Sequence, residues 1–131
     1  MAFKVTPFLM FQGSADEAIR LYVSVFRDSE VKSMQRYEPG ESGPEGGVKR
    51  AHFALAGQEI ICIDSAVAHA FSFTAATSLF VECEDDAEFD LAFRELSVGG
   101  SVPMPPNNYG FSRKFSWVND RYGVSWQLNL K

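Results

Sequence analysis

Proton transfer at neutral pH needs a group that titrates there, and histidine, with an unperturbed pKa of about 6.5, is the side chain that does. The 131-residue chain contains two, His52 and His69. His52 falls in Arg50-Ala-His-Phe-Ala-Leu-Ala56, an apolar run that reads as a strand, whereas His69 sits in the weakly patterned stretch 66–76. Asp64 ends the next strand-like run, so His52 and Asp64 could form an oriented acid–base pair. The other reading is a hydrogen-bonded histidine with a structural role. A metal site built from carboxylate and imidazole would draw on His52, Glu59 or Glu82. The two cysteines, Cys62 and Cys83, lie in apolar segments and are too few for a disulfide framework, so they read as buried free thiols.

A second group of residues could bind rather than react. The closing run Val124–Leu130 alternates with period two, placing Val124, Trp126, Leu128 and Leu130 on one face and Ser125, Gln127 and Asn129 on the other. The apolar set belongs under a helix. The polar row is either solvated or part of a pocket wall. Phe111, Phe115 and Trp117 share one face of the preceding run, and Tyr109 stands beside Gly110, where a loop could close over a ligand. Such an aromatic stripe serves either as core or as pocket lining.

These residues need elements to hold them. Val5–Phe11 reads as a strand, followed by a helix that opens with the capping-box spacing Ser14-Ala-Asp-Glu17 and carries Ala18, Leu21, Tyr22 and Val25 as an apolar stripe. Residues 29–38 form a half-exposed strand. The glycine- and proline-rich segment 39–47 must be a loop, and it is the most mobile segment expected. Val48–Ala56 and Gln58–Asp64 follow as a hairpin turning at Ala56-Gly57. The pattern then restarts: Ser78–Cys83 is a strand, and Asp85, 71 positions after Ser14, caps a helix whose stripe is Phe89, Ala92, Phe93 and Leu96. A short strand at Ser101-Val102, a loop at 103–108, and two strands, Ser112–Val118 and Val124–Leu130, complete the chain. The segment Asn119-Asp-Arg-Tyr-Gly123 turns between the last two. Each half is thus strand, helix, then about three strands. One domain of the α+β class follows, built from two modules at about 3–65 and 76–131.

Composition excludes several partners. The net charge is −5 and the longest basic cluster is Lys49-Arg50, so no phosphate-reading surface for nucleic acid is expected. No apolar run approaches the ~20 residues of a membrane helix, and Met1-Ala-Phe-Lys4 lacks a signal-peptide pattern, so a soluble cytoplasmic protein is expected. The 14% aromatic share, led by 12 Phe, suits either an aromatic core or an apolar cavity.

The strings Thr6-Pro-Phe-Leu-Met-Phe-Gln-Gly13, Arg50-Ala-His-Phe-Ala-Leu-Ala-Gly57 with Ile60-Ile-Cys-Ile-Asp64, and Asn119-Asp-Arg-Tyr-Gly-Val-Ser-Trp-Gln127 resemble the PhnB-like branch of the glyoxalase, or vicinal-oxygen-chelate, superfamily. The resemblance implies two βαβββ modules forming a curved mixed sheet around a cavity, and a homodimer. Enzymes of that superfamily, such as glyoxalases, extradiol dioxygenases and fosfomycin-resistance transferases, hold a divalent metal on strands of both modules. Here the matching positions fall on Pro7 and near Thr77, neither a good ligand, and only Gln127 keeps a coordinating oxygen, so no metal is expected at that position. If Pro7 marks the old ligand position, Leu9 and Phe11 alternate with it into the cavity. The expected binding set is then Pro7, Leu9, Phe11, Tyr109, Phe115, Trp117, Ser125 and Gln127, for a small organic ligand and with no cofactor. Relatives often carry a methyltransferase label, but the chain lacks the glycine-rich strand-to-helix loop that cradles a nucleotide-like cofactor. Three functions stay open: a metal-free binder or glyoxalase-like enzyme, a divalent-metal enzyme with a rearranged site, and a ligand-sequestering resistance or carrier protein.

Overall fold

The computed structural model describes residues 2–131. The chain forms two compact units that divide after Ala70. In the first, β1 (Phe8–Phe11), α1 (Ala15–Val25), β2 (Glu30–Arg36), β3 (Val48–Leu55) and β4 (Gln58–Asp64) make a four-stranded sheet in the order β1-β4-β3-β2. β1 runs parallel to β4, and the other pairs are antiparallel. The helix covers one face. Its buried Ala18, Ile19, Tyr22 and Val25 pack on Ala51 and Phe53 of β3 and their register partners Cys62 and Ile60, with the Tyr22 and Phe53 rings 6.5 Å apart. Each large apolar side chain buried there contributes about 1.5–3 kcal/mol, which outweighs the weak propensity of a helix of 11 residues.

The second unit repeats the order. β5 (Leu79–Glu82), α2 (Asp86–Ser97), β6 (Ser101–Asn107), β7 (Lys114–Asn119) and β8 (Ser125–Leu130) form the sheet β5-β8-β7-β6, again with one parallel pair, β5 with β8. The two helices begin at Ala15 and Asp86, which preserves the 71-residue offset of their caps. Both halves are therefore βαβββ modules of an α+β fold, and the expected mixed sheet is divided into two four-stranded sheets, one in each module.

Four local expectations change. The Ser14 hydroxyl makes no capping bond. The Asp64 carboxylate takes the Ala15 and Gly13 N–H groups instead, because β4 delivers it to the open end of α1. In α2 the cap forms as expected, with the Glu88 N–H on Asp85 Oδ1 at 2.8 Å, while the Glu88 carboxylate reaches back one residue further, to the Glu84 N–H. Residues 103–107, expected as loop, continue β6 despite Pro103, Pro105 and Pro106. As an edge strand with register shifts, β6 can dispense with the N–H groups that proline lacks. The segment 39–47, expected to be the most mobile, is tied at both ends. Tyr37 exchanges backbone hydrogen bonds with Gly46 and Gly47, its hydroxyl donates to the Asp64 carbonyl at 2.9 Å, and its ring lies so close to Gly43 that any β-carbon there would overlap it.

Candidate functional site

The proposed acid–base pair does not form. His52 pairs with Ile61 on the face of the first sheet that α1 leaves uncovered, while Asp64 is buried on the helix side with Phe11 as its β1 partner. Strand alternation sends the two side chains to opposite faces. His52 Nε2 instead accepts from Arg50 Nε at 3.2 Å. Asp64 Oδ1 takes Gly13 N at 2.9 Å and Ala15 N at 3.0 Å, and Oδ2 takes Val48 N at 2.9 Å. Its role is to cap α1 and to pin the start of β3. His69 is held locally, with Nε2 3.0 Å from the Ser65 hydroxyl.

The same alternation moves part of the expected binding set into the core. Leu9 and Phe11 pair with Cys62 and Asp64 on the helix-covered face, and Phe11 is buried. The residues of β1 that reach the uncovered face are Phe8 and Met10, partners of Ile61 and Ile63. Pro7 precedes the strand and gives its carbonyl to the Ile61 N–H.

In the second unit the expected residues do come together. Lys114 sits over the Phe89 ring and bonds Asp90, which marks the even-numbered residues of β7 as helix-facing. Its neighbours Phe115, Trp117 and Asn119 then face away from α2, with their β8 partners Asn129, Gln127 and Ser125. Through β5 and β6 these pairs extend into three cross-strand rows on the helix-free face. One runs Glu82, Asn129, Phe115, Asn107; the next runs Phe80, Gln127, Trp117, Met104; the third holds Ser125, Asn119 and Ser101.

The rows are joined by hydrogen bonds. Trp117 Nε1 donates to Ser125 Oγ at 2.8 Å, and the Ser78 and Ser125 hydroxyls lie 2.6 Å apart. Asn119 Nδ2 donates to Ser101 Oγ at 3.3 Å, and Asn129 Nδ2 donates to Glu82 Oε1 at 2.8 Å. Over one end of the face stands an aromatic group. The Phe111 ring meets Phe115 edge-on at 4.9 Å, Tyr109 approaches both, and Phe80 lies 6.3 Å from Phe115 across β8. Phe80 and Phe111 are more than half exposed, at 56% and 63%, which is costly for phenylalanine unless something binds against it. The side-chain oxygens Oδ1 of Asn119 and Asn129 are buried without a hydrogen-bond partner, two further unmet capacities on the same face.

Phe80 was absent from the expected set. The signal was available in the alternation of Ser78–Cys83, which puts Phe80 and Glu82 opposite Val81 and Cys83.

Among the described residues, no three His, Cys, Asp or Glu side chains lie together as a ligand set. Glu59, one candidate ligand, is engaged by Lys4 and by Lys32 at 3.3 Å, which satisfy its charge. Burial pushes both thiols up to about 12, so neither Cys62 nor Cys83 is a thiolate nucleophile at neutral pH. Among the described residues, no helix is long and apolar enough to cross a membrane.

Residues 3–129 match the family model described as 3-demethylubiquinone-9 3-methyltransferase. A PhnB protein of known structure from Bacillus cereus is 52% identical, with 98% of this chain and 99% of that chain covered and a TM-score of 0.95. Protein YjdN from Escherichia coli strain K12 is 24% identical over 139 residues, covering 96% of this chain and 94% of its own length. A glyoxylase/bleomycin resistance protein/dioxygenase domain from Frankia sp. EAN1pec superposes with a TM-score of 0.66 at 17% identity over 99% of this chain and 93% of that one, a likeness of fold.

Proposed function

Since the chain belongs to the 3-demethylubiquinone-9 3-methyltransferase family, in the PhnB-like branch of the vicinal-oxygen-chelate superfamily, we propose that it is a metal-free binding protein for a small organic molecule. The observation that carries this reading is the helix-free face of the second sheet. There, half-exposed rings flank a polar strip whose two asparagine carbonyl oxygens have no partner. A ligand with an apolar body and a few hydrogen-bond donors would meet both needs at once. Chemistry is not part of the proposal, because the hydroxyls on this face, Ser78 and Ser125, bond each other and Trp117 and not a general base. Methyl transfer is disfavoured as well. The connection from β1 to α1 has one glycine, and that from β5 to α2 is Cys83-Glu84-Asp85, whose acidic charge would repel a phosphate or carboxylate.

A homodimer and a cytoplasmic location belong to the same proposal; the family supports the first and the charge pattern is compatible with the second. The test begins with protein purified without chelators and without a metal-affinity tag. Elemental analysis should find less than one divalent ion per ten chains, and a stoichiometric ion would overturn the metal-free reading. Fluorinated aromatic fragments screened by fluorine NMR should bind to the native chain and be recovered unchanged. Their binding should weaken in Trp117→Ala, and a fragment set indifferent to that change would refute the assigned face.

A further inference from the structure

The first cross-strand row carries a more specific message. Asn129 is 7% exposed, and its amide nitrogen is committed to Glu82 Oε1 at 2.8 Å. Turning the amide over would set its oxygen against that carboxylate, so the orientation is chemically determined. The carbonyl oxygen that remains is buried and unpartnered, and its only satisfaction is a donor. Beside it, the second carboxylate oxygen of Glu82 is paired at 3.5 Å with the ammonium of Lys131, whose side chain is 86% exposed, a weak surface pair that a bound cation can replace. The neighbouring Phe80 ring is 56% exposed and lies 6.3 Å from the buried Phe115 ring. The corner therefore offers an unpartnered acceptor, a carboxylate paired with an exposed lysine, and an exposed ring.

Building on the binding role assigned above, we propose that this corner is a subsite for an organic cation with N–H donors, an amidinium or primary ammonium on an apolar body. The N–H group serves the Asn129 carbonyl, the charge faces Glu82 in place of Lys131, and the body packs on Phe80. The anionic alternatives that a basic site would take are excluded by the same charges.

The test uses the full isotope-labelled chain and three probes of one shape: benzamidine, neutral benzamide and anionic benzoate. Benzamidine should move the Asn129 side-chain amide and the Phe80 backbone resonances saturably, benzamide should bind at least about fivefold more weakly, and benzoate should leave both unmoved. Glu82→Gln should cost benzamidine about fivefold in affinity, since a half-exposed ion pair is worth little more. Glu95→Gln on α2 should cost nothing. Equal binding of benzamidine and benzamide would overturn the cation subsite while leaving a small-molecule face in place. Failure of all three probes to move these resonances would overturn both. Shifts that follow protein concentration and ignore the probes would assign the corner to a second copy of the chain and equally defeat the proposal.

Discussion

The carboxylate of Asp64 caps the backbone of Ala15 across 49 residues, at 3.0 Å, and so ties the last strand of the first module to the first turn of its helix. Asp64 is 1% exposed and serves three N–H donors. Asp64→Ala leaves those donors without an acceptor in a buried setting, which costs about 3 kcal/mol or more in urea unfolding. Asp64→Asn keeps one oxygen acceptor and should cost less. Ligand affinity extrapolated to fully folded protein should be unchanged in both, because Asp64 faces the helix and not the binding strip.

The thiols give a pH prediction. Burial holds the Cys62 proton up to about 12, against a value of 9.0 for the exposed thiol. Between those values the folded chain binds more protons than the unfolded chain, so stability falls as pH rises through that window, by at most about 1.4 kcal/mol per unit for each of the two thiols, and is untouched below it. At pH near 8 the native thiols should resist a disulfide exchange reagent, and both should react on unfolding; rapid labelling of the native chain would contradict this.

Asn129 should separate function from stability. Replacing it by leucine removes a buried carbonyl that has no partner, and leaves Glu82, about half exposed, to water. Asn129→Leu should therefore keep or raise stability, by about 1 kcal/mol at most, while abolishing benzamidine binding. Thermal melts alongside the titration decide it: a large loss of stability would mean that Asn129 is structural.

Gly100 tests the turn after α2. A β-carbon there would stand 2.0 Å from the Asn119 carbonyl oxygen, a backbone atom that cannot swing aside. Gly100→Ala should cost about 2 kcal/mol or more by chemical denaturation, and should broaden the resonances of the Asn119–Ser101 row.

The periodicities were legible without a structure. Ala18 and Val25, and 71 positions later Phe89 and Leu96, declared two like helices, because local apolar spacing decides which helix face is buried. The two-residue alternation of Val124–Leu130 likewise separated Ser125 and Gln127 from Trp126 and Leu128, as β8 shows. Pairing could not be read in that way. Whether Leu9 shares a face with Ile61 or with Cys62 depends on the register of β1 against β4, and a shift of one residue reverses every side chain. That register turned Leu9 and Phe11 to the helix-covered face, and the register of β3 against β4 separated His52 from Asp64. The register of β5 against β8 likewise set Phe80 and Glu82 beside Gln127 and Asn129, 47 residues away in each case, because cross-strand hydrogen bonds between distant segments are chosen by the packed fold and not by either segment alone. The sequence by itself determined the two βαβββ modules and the two faces of the last strand, through local spacing. Only the tertiary structure decided which residues meet there, because register is a property of two strands together.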